Sequence, residues 1–346
     1  MRIFRAFSIA LVGLSGLVGA TQATAALLAG TAALKEWNLI VFNNVSSSSE
    51  VEGRSFIGGD LTGNSSNYYM GNENSASANG TPGLTVVGNV EGGTKNLNNG
   101  AGASIGGNLA SQNGFNLNGP NQTVNIGGSS TQTNINQNTV NANLGANFTN
   151  QLVAQRDLLV SSLGSLSDNL QALTATGTGS IANNTLTING GSSFNVFNVT
   201  AANLNAVQQL SVTNANGATT VINVAGTNIT MNDNFLGSPS ELGKNVIWNF
   251  YEATTLSFGN AFYGTVLAPE AAVTLSNFVE GTLVAKSLTQ NGEVHTGTFQ
   301  GDLSSVGGSV SATPEPATWA MLILGFGLIG TVLRRRPRLI PAFARA

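Results

Sequence analysis

Phe56-Ile57-Gly58-Gly59-Asp60-Leu61, Val86-Val87-Gly88-Asn89-Val90, Ser104-Ile105-Gly106-Gly107-Asn108-Leu109 and Asn125-Ile126-Gly127-Gly128 are four versions of one unit. Each is a short apolar run that ends in a glycine turn. Val87, Ile105 and Ile126 recur at steps of about 18 and 21 residues, the length of one coil in a stacked solenoid. Glycine permits the positive φ needed at a corner, and asparagine tolerates it. These glycines are therefore read as coil corners. Asparagines stacked from coil to coil can satisfy one another's amides in ladders. No GxxxxGK[ST] string occurs and no GxGxxG opens a helix, so the glycine pairs are not phosphate loops.

Outward from these strings, the second half repeats on its own. Tyr263-Gly264-Thr265-Val266-Leu267-Ala268 returns as Glu280-Gly281-Thr282-Leu283-Val284-Ala285, and Val246-Ile247-Trp248-Asn249-Phe250 stands about one coil earlier. Asn189-Gly190 and Asn291-Gly292 are turn signals. Between the halves, Phe148, Leu152, Leu159, Leu163, Leu166, Leu170 and Leu173 recur at helical steps. A helix over 147–173 is predicted, capped by Asn147 or Thr149 and lying along one flank. Its polar side carries Arg156, Asp157 and Asp168 without a cationic cluster, which argues against a lipid-binding helix. Gln155 falls off the stripe and is expected to tolerate lysine. The fold expectation is mainly β: a parallel β-helix (solenoid) with one long α-helix packed alongside.

The 346 residues include 44 asparagines, 43 glycines and no cysteine. Disulfides, thiolate metal sites and a cysteine nucleophile are excluded. Seven of the thirteen basic residues lie at the two ends of the chain, leaving six against fifteen acidic residues in the core. Nucleic-acid binding needs a basic footprint, and this core has none. The loop Ser65 to Thr81 is expected to be the least ordered part.

The two ends read as processing signals. Arg2 and Arg5 precede the apolar run Ala6 to Ala20, and Ala23-Thr24-Ala25 offers small residues for a signal peptidase. This predicts a signal peptide over 1–25 and a mature start near Ala26, although Val18-Gly19-Ala20 also fits. Near the other end stand Pro314-Glu315-Pro316-Ala317-Thr318-Trp319-Ala320, an apolar stretch and Arg334-Arg335-Arg336. The prolines keep the box extended. The stretch 317–333 is just long enough to cross a bilayer, with the arginines held on the cytoplasmic side. The segment 311–338 resembles the PEP-CTERM sorting signal in its PEPxxWA variant, whose carriers are Gram-negative surface proteins. The resemblance implies export by the Sec machinery, an inner-membrane precursor, and removal of the helix by an exosortase. An ordinary membrane anchor is the alternative, and the tail Pro337 to Ala346 departs from the family pattern.

The intervening 26–310 resembles the choice-of-anchor A domain. The resemblance rests on the opening stretch from Leu34 to Leu61, the glycine repeats near Val87 and Ile105, and the stretch from Val246 to Phe299. It implies an adhesive or surface domain. The late repeats are also similar to the ice-binding β-solenoids, which carry a long helix beside their coils.

Candidate chemistry is sparse. His295 is the sole histidine, with no partner identifiable from the sequence, and a structural or exposed role is expected for it. No zinc ligand set can be assembled, no carboxylate pair stands out by spacing, and no cofactor is expected. Glu50, Glu52 and Arg54 alternate on a predicted strand and should share a face. They are read as a charge-paired patch, or alternatively as a carbohydrate or calcium contact. Tyr68 and Tyr69 are expected in an exposed polar loop, where they could stack on sugar rings. Threonine pairs such as Thr131-Gln132-Thr133 and Thr185-Leu186-Thr187 invite an ice-binding reading but are too irregular to nominate a face. The functional expectation is a non-catalytic adhesin or matrix protein with exopolysaccharide as partner. A polysaccharide-processing enzyme and an ice-binding protein are the alternatives.

Overall fold

The computed structural model describes residues 27–306, apart from 72–76, 78, 113, 120–121, 132–137, 192, 215–216 and 305. The signal-cleavage residues Ala23, Ala25 and Ala26 lie outside the described residues. So do the sorting motif (Pro314, Glu315, Pro316, Trp319, Ala320), the apolar stretch 317–333 and Arg334, Arg335 and Arg336. Among the described residues, no helix is long and apolar enough to cross a membrane.

The coils are wound in two directions from the middle. In the main sheet the order is Thr139–Asn141, Thr123–Ile126, Ala103–Ile105, Leu84–Val86, Ser55–Ile57, Leu39–Val41, Leu283–Gln290, Thr265–Leu275, Val246–Asn249, Thr219–Ala225, Phe194–Thr200. All of these pairs are parallel. The first strand of the chain is thus central, and the amino-terminal coils step away from it to one end. Helix α2 (Ala146–Gln171) then carries the chain to the other end. From there the remaining coils step back until Leu283, Val284 and Ala285 pair with Leu39, Ile40 and Val41. The helix is long enough to make most of this return, since 26 residues reach ~39 Å and eleven strands span ~48 Å.

Three sides result. On the helix side, strand residues alternate between the coil interior (Leu39, Val41) and the layer under α2 (Ile40). Leu159, Leu163, Leu166 and Leu170 of α2 fill that layer against Ile40, Phe56, Val221, Ile247, Leu267 and Val284. Polar bonds fix the register: Asn249 Nδ2 donates to Ser167 O at 2.9 Å and Asn223 Nδ2 to Leu170 O at 2.9 Å. Gln155 is buried, contrary to its expected tolerance of lysine. Its side-chain amide donates to Leu28 O at 2.7 Å and its carbonyl accepts from Leu28 N at 2.9 Å, clamping the start of the domain to α2. Helix α1 (Gly30–Glu36) follows and is held by Gly30 N donating to Ser162 Oγ at 3.1 Å.

The glycine pairs are corners, but not for the reason expected. Gly58, Gly59, Gly106 and Gly107 do not have positive φ. A Cβ at Gly58 would strike the carbonyl oxygen of Phe42 in the next coil, and one at Gly59 would strike Asn44 Oδ1. Close stacking of the coils, rather than backbone conformation, excludes a side chain there. The following Asn or Asp caps the neighbouring coil. Oδ1 of Asn44, Asp60, Asn89 and Asn108 accepts from the backbone N–H of residues 60, 89, 108 and 129 at 2.7 to 2.9 Å.

Candidate functional site

The second side is a parallel sheet whose outward positions are short and hydroxylated. Its residues come from triplets of one shape: Ile229-Thr230-Met231, Leu256-Ser257-Phe258, Val273-Thr274-Leu275, Leu288-Thr289-Gln290 and Val45-Ser46-Ser47. In each, the flanking residues are buried and the middle one faces solvent. Pairing places Thr230 beside Ser257, Ser257 beside Thr274, Thr274 beside Thr289, Thr289 beside Ser46 and Ser46 beside Thr62. Six successive coils therefore present one hydroxyl each in a single rank, ~24 Å long at the usual strand spacing. A second rank runs through Asn228, Thr255, Ala272 and Ser287. Neighbours are tied: Thr255 Oγ1 donates to Asn228 Oδ1 at 2.7 Å and Ser257 Oγ to Thr230 Oγ1 at 3.2 Å. A rigid floor of Ile229, Leu256, Val273 and Leu288 fixes the spacing. Such a rank can donate and accept hydrogen bonds at a constant repeat, which suits a ligand that is itself periodic. Three of its six hydroxyls, those of Thr230, Ser257 and Thr274, sit mid-triplet between apolar residues, and that was the signal available in the sequence; of the threonine pairs singled out there, Thr185 and Thr187 belong to a separate four-stranded sheet, and Gln132 and Thr133 lie outside the described residues.

The sequence-predicted site residues fall on the third side, and most are occupied structurally. Glu50 and Glu52 flank Val51, but the chain turns at Gly53, whose N–H is bound by Asn38 Oδ1 at 3.0 Å. Arg54 therefore lies past a corner and does not share their face. Its Nε stands 3.6 Å from Glu36 Oε1 and donates to Thr81 O at 3.2 Å. Glu52 Oε2 accepts from Thr296 N at 2.7 Å, and Glu50 Oε2 is 3.5 Å from Asn67 Nδ2.

Tyr68 and Tyr69 are not an exposed loop. The strand Ser66–Tyr68 pairs with Glu50–Val51 on one side and Lys95–Leu97 on the other, and its two-residue period turns Ser66 and Tyr68 inward. Tyr68 is 0% and Tyr69 5% exposed. Burial pushes the Tyr68 hydroxyl up to about 12, against an opposing hydrogen bond from Ser66. The guanidinium of Arg54 sits 5.3 Å from the centre of the Tyr69 ring. His295 is half-buried, with Nε2 2.6 Å from Glu293 Oε2 and its ring stacked 4.4 Å from Phe278. Among the described residues, no three His, Asp or Glu side chains converge as metal ligands do.

Residues 30–296 match the family model described as "Putative Ice-binding-like adhesive domain". The chain belongs to the ice-binding-like adhesive domain family. That domain begins at the first residue of α1 and ends just after His295, so both sets of coils and the returning helix lie within one unit. Residues 312–336 match the PEP-CTERM protein-sorting motif. The two matches together fit an exported surface protein. No curated protein matches the chain. Among solved structures, an ice binding protein from an Antarctic bacterium of the Flavobacteriaceae is similar at 13% identity and a TM-score of 0.25, over 75% of this chain and 80% of that one.

Proposed function

We propose that the chain is a non-catalytic surface adhesin that grips a repeating polymer, such as an extracellular polysaccharide, through its hydroxyl-bearing side. The observation that carries this reading is the rank Thr230, Ser257, Thr274, Thr289, Ser46 and Thr62, in register over six coils. The adhesive-domain match supports it. The finer assignment is a choice-of-anchor A protein with the PEPxxWA form of the signal. It is made in a Gram-negative cell as an inner-membrane precursor spanned by 317–333 and cut by an exosortase. Cells that make the chain should retain more of their own exopolysaccharide than cells that lack it. Equal retention would count against the adhesive role, and peptides from Met321 onward in surface-released protein would count against the cut.

The same rank favours a second reading, binding to ice, because ordered water is also a periodic hydrogen-bonding surface. Inhibition of ice recrystallisation by the protein, lost on Thr274→Lys with Thr289→Lys, separates this reading from polymer adhesion.

A further inference from the structure

The hydroxyl rank stops at Thr230, and a helix stops it. Among the described residues, the strand Asn228–Met231 pairs with Thr255–Phe258 alone. Where the next strand of that side would run stands α3 (Ala201–Asn205), which packs against Asn228–Met231. Phe194–Thr200 pairs with Thr219–Ala225, but its chain then turns into helix where the later coil continues as strand. Thr200 starts that helix: its Oγ1 accepts from Asn203 N at 3.1 Å, and Asn203 Oδ1 accepts from Thr200 N at 2.9 Å. Pairing between the two coils resumes at Gln209 with Asn234. Between their corners, residues 204–208 of one and 230–233 of the other, lies a cavity of about 220 Å³.

Asp233 lines this cavity at 8% exposure, and no other described residue donates a hydrogen bond to its carboxylate. Met231 pairs with Phe258, which puts Asp233 at the place that Asn260 holds one coil on. Asn260 ties its corner to the coil before it, with Nδ2 donating to Asn232 O at 2.5 Å. A carboxylate has no N–H to give, so Asp233 leaves its own corner untied. Burial raises its carboxyl to about 6, opposed by its own backbone N–H. A buried acceptor without a donor is costly, and a ligand that brings donors relieves the cost. Asp233 is the sole ionisable side chain on the cavity wall, and no other charge contributes to its shift. Asn205 and Gln208 add side-chain amides that no other described residue engages, and Thr230 adds its hydroxyl. Leu204 and Val207 add apolar surface. One carboxylate is too few for the oxygen cage of a calcium ion, and the space is several times the ~30 Å³ of a single water. A sugar ring suits this wall: neighbouring hydroxyls donate to the carboxylate, amides take either role, and the C–H face meets Leu204 and Val207.

We infer that the cavity is a terminal subsite, which takes the end sugar of a polysaccharide laid along the hydroxyl rank, with Asp233 as its acceptor. The inference rests on the adhesive reading and adds where along the rank a chain ends. The probes are the monosaccharides released by acid hydrolysis of the host exopolysaccharide, each too short to span the rank, titrated into the isotope-labelled full chain. Amide signals of residues 204–208 and 230–233 should move, while those of Thr274 and Thr289 stay. Affinity should fall about tenfold from about pH 7.5 to about pH 5, because the protonated carboxyl is a weaker acceptor. Asp233→Asn should bind about tenfold more weakly and lose that pH dependence. Its melting temperature should be no lower than the parent's, since asparagine already holds this corner one coil on. Thr274→Lys with Thr289→Lys should leave monosaccharide binding as it was. Signals that move only along the rank, an affinity independent of pH, or an Asp233→Asn variant equal to the parent would overturn the subsite. So would calcium chloride that moves these signals where no monosaccharide does. A parent protein that binds the intact polymer but none of its sugars loses this inference and keeps the adhesive reading. One that binds neither loses both.

Discussion

Lys95 is a cation placed inside a coil. Its neighbours on the inner surface are Ser66 and Phe115, and its amine finds a neutral carbonyl rather than a carboxylate. Burial lowers its amine to about 8 from an ordinary 10.5. The folded protein therefore gives up this proton before the unfolded chain does. Between pH 8 and 10.5 the unfolded state binds more protons, so stability should rise with pH across that window, by up to about 3 kcal/mol. Urea melts at successive pH values test this, and Lys95→Met should flatten the rise. A slope that persists in the methionine variant would assign it to other groups. Gln155 carries the second prediction at this scale. Lysine there removes both bonds to Leu28 and leaves the Leu28 N–H and C=O without their partners, at a cost of about 1–3 kcal/mol. Hydrogen exchange at Leu28 should accelerate more than elsewhere, and unchanged protection would show the clamp to be dispensable.

At the level of elements, α2 seals the main sheet by leucines that recur every three or four residues, and that spacing could be read directly from the chain. Leu163→Ala or Leu166→Ala each leaves a cavity over the sheet and should cost about 2–5 kcal/mol. Aspartate at both positions should unfold the domain, as monitored by circular dichroism. A double aspartate variant that melts like the parent would mean that α2 is not docked. The coil corners were legible for a similar reason: Ile57-Gly58-Gly59 and Ile105-Gly106-Gly107 are local signals, and short spacings report neighbouring coils. Tyr68-Tyr69 misled because a run of polar residues concealed a three-residue strand whose inward turn is set by its partners, not by its own composition. The hydroxyl rank was not legible as a rank. Each of its members is one ordinary serine or threonine, and only pairing between distant segments brings six of them into line.

For the whole molecule, the decisive contact joins Leu39–Val41 to Leu283–Ala285, close to opposite ends of the domain sequence. No repeat period could reveal it, because a period relates a coil to its successor and this pair consists of the first coil and the last. The same seam brings Ser46 beside Thr289 on the hydroxyl side, so the rank is continuous only if the two windings meet. The chain has no cysteine, which makes the seam easy to test. Ser46→Cys with Thr289→Cys should cross-link on oxidation and appear as a faster band on a denaturing gel, since paired strand positions lie within disulfide reach. Absence of the link in folded protein would contradict the two-way winding.

The most direct test of the account is the affinity of the full chain for exopolysaccharide purified from its host, measured for the parent and for Thr274→Lys with Thr289→Lys. Both side chains are exposed on the hydroxyl side, so melting should change little, while two long charged side chains break the hydroxyl rank at its centre. The account predicts a loss of at least about tenfold, or about 1.4 kcal/mol, at an unchanged melting temperature. Binding equal to that of the parent would contradict it.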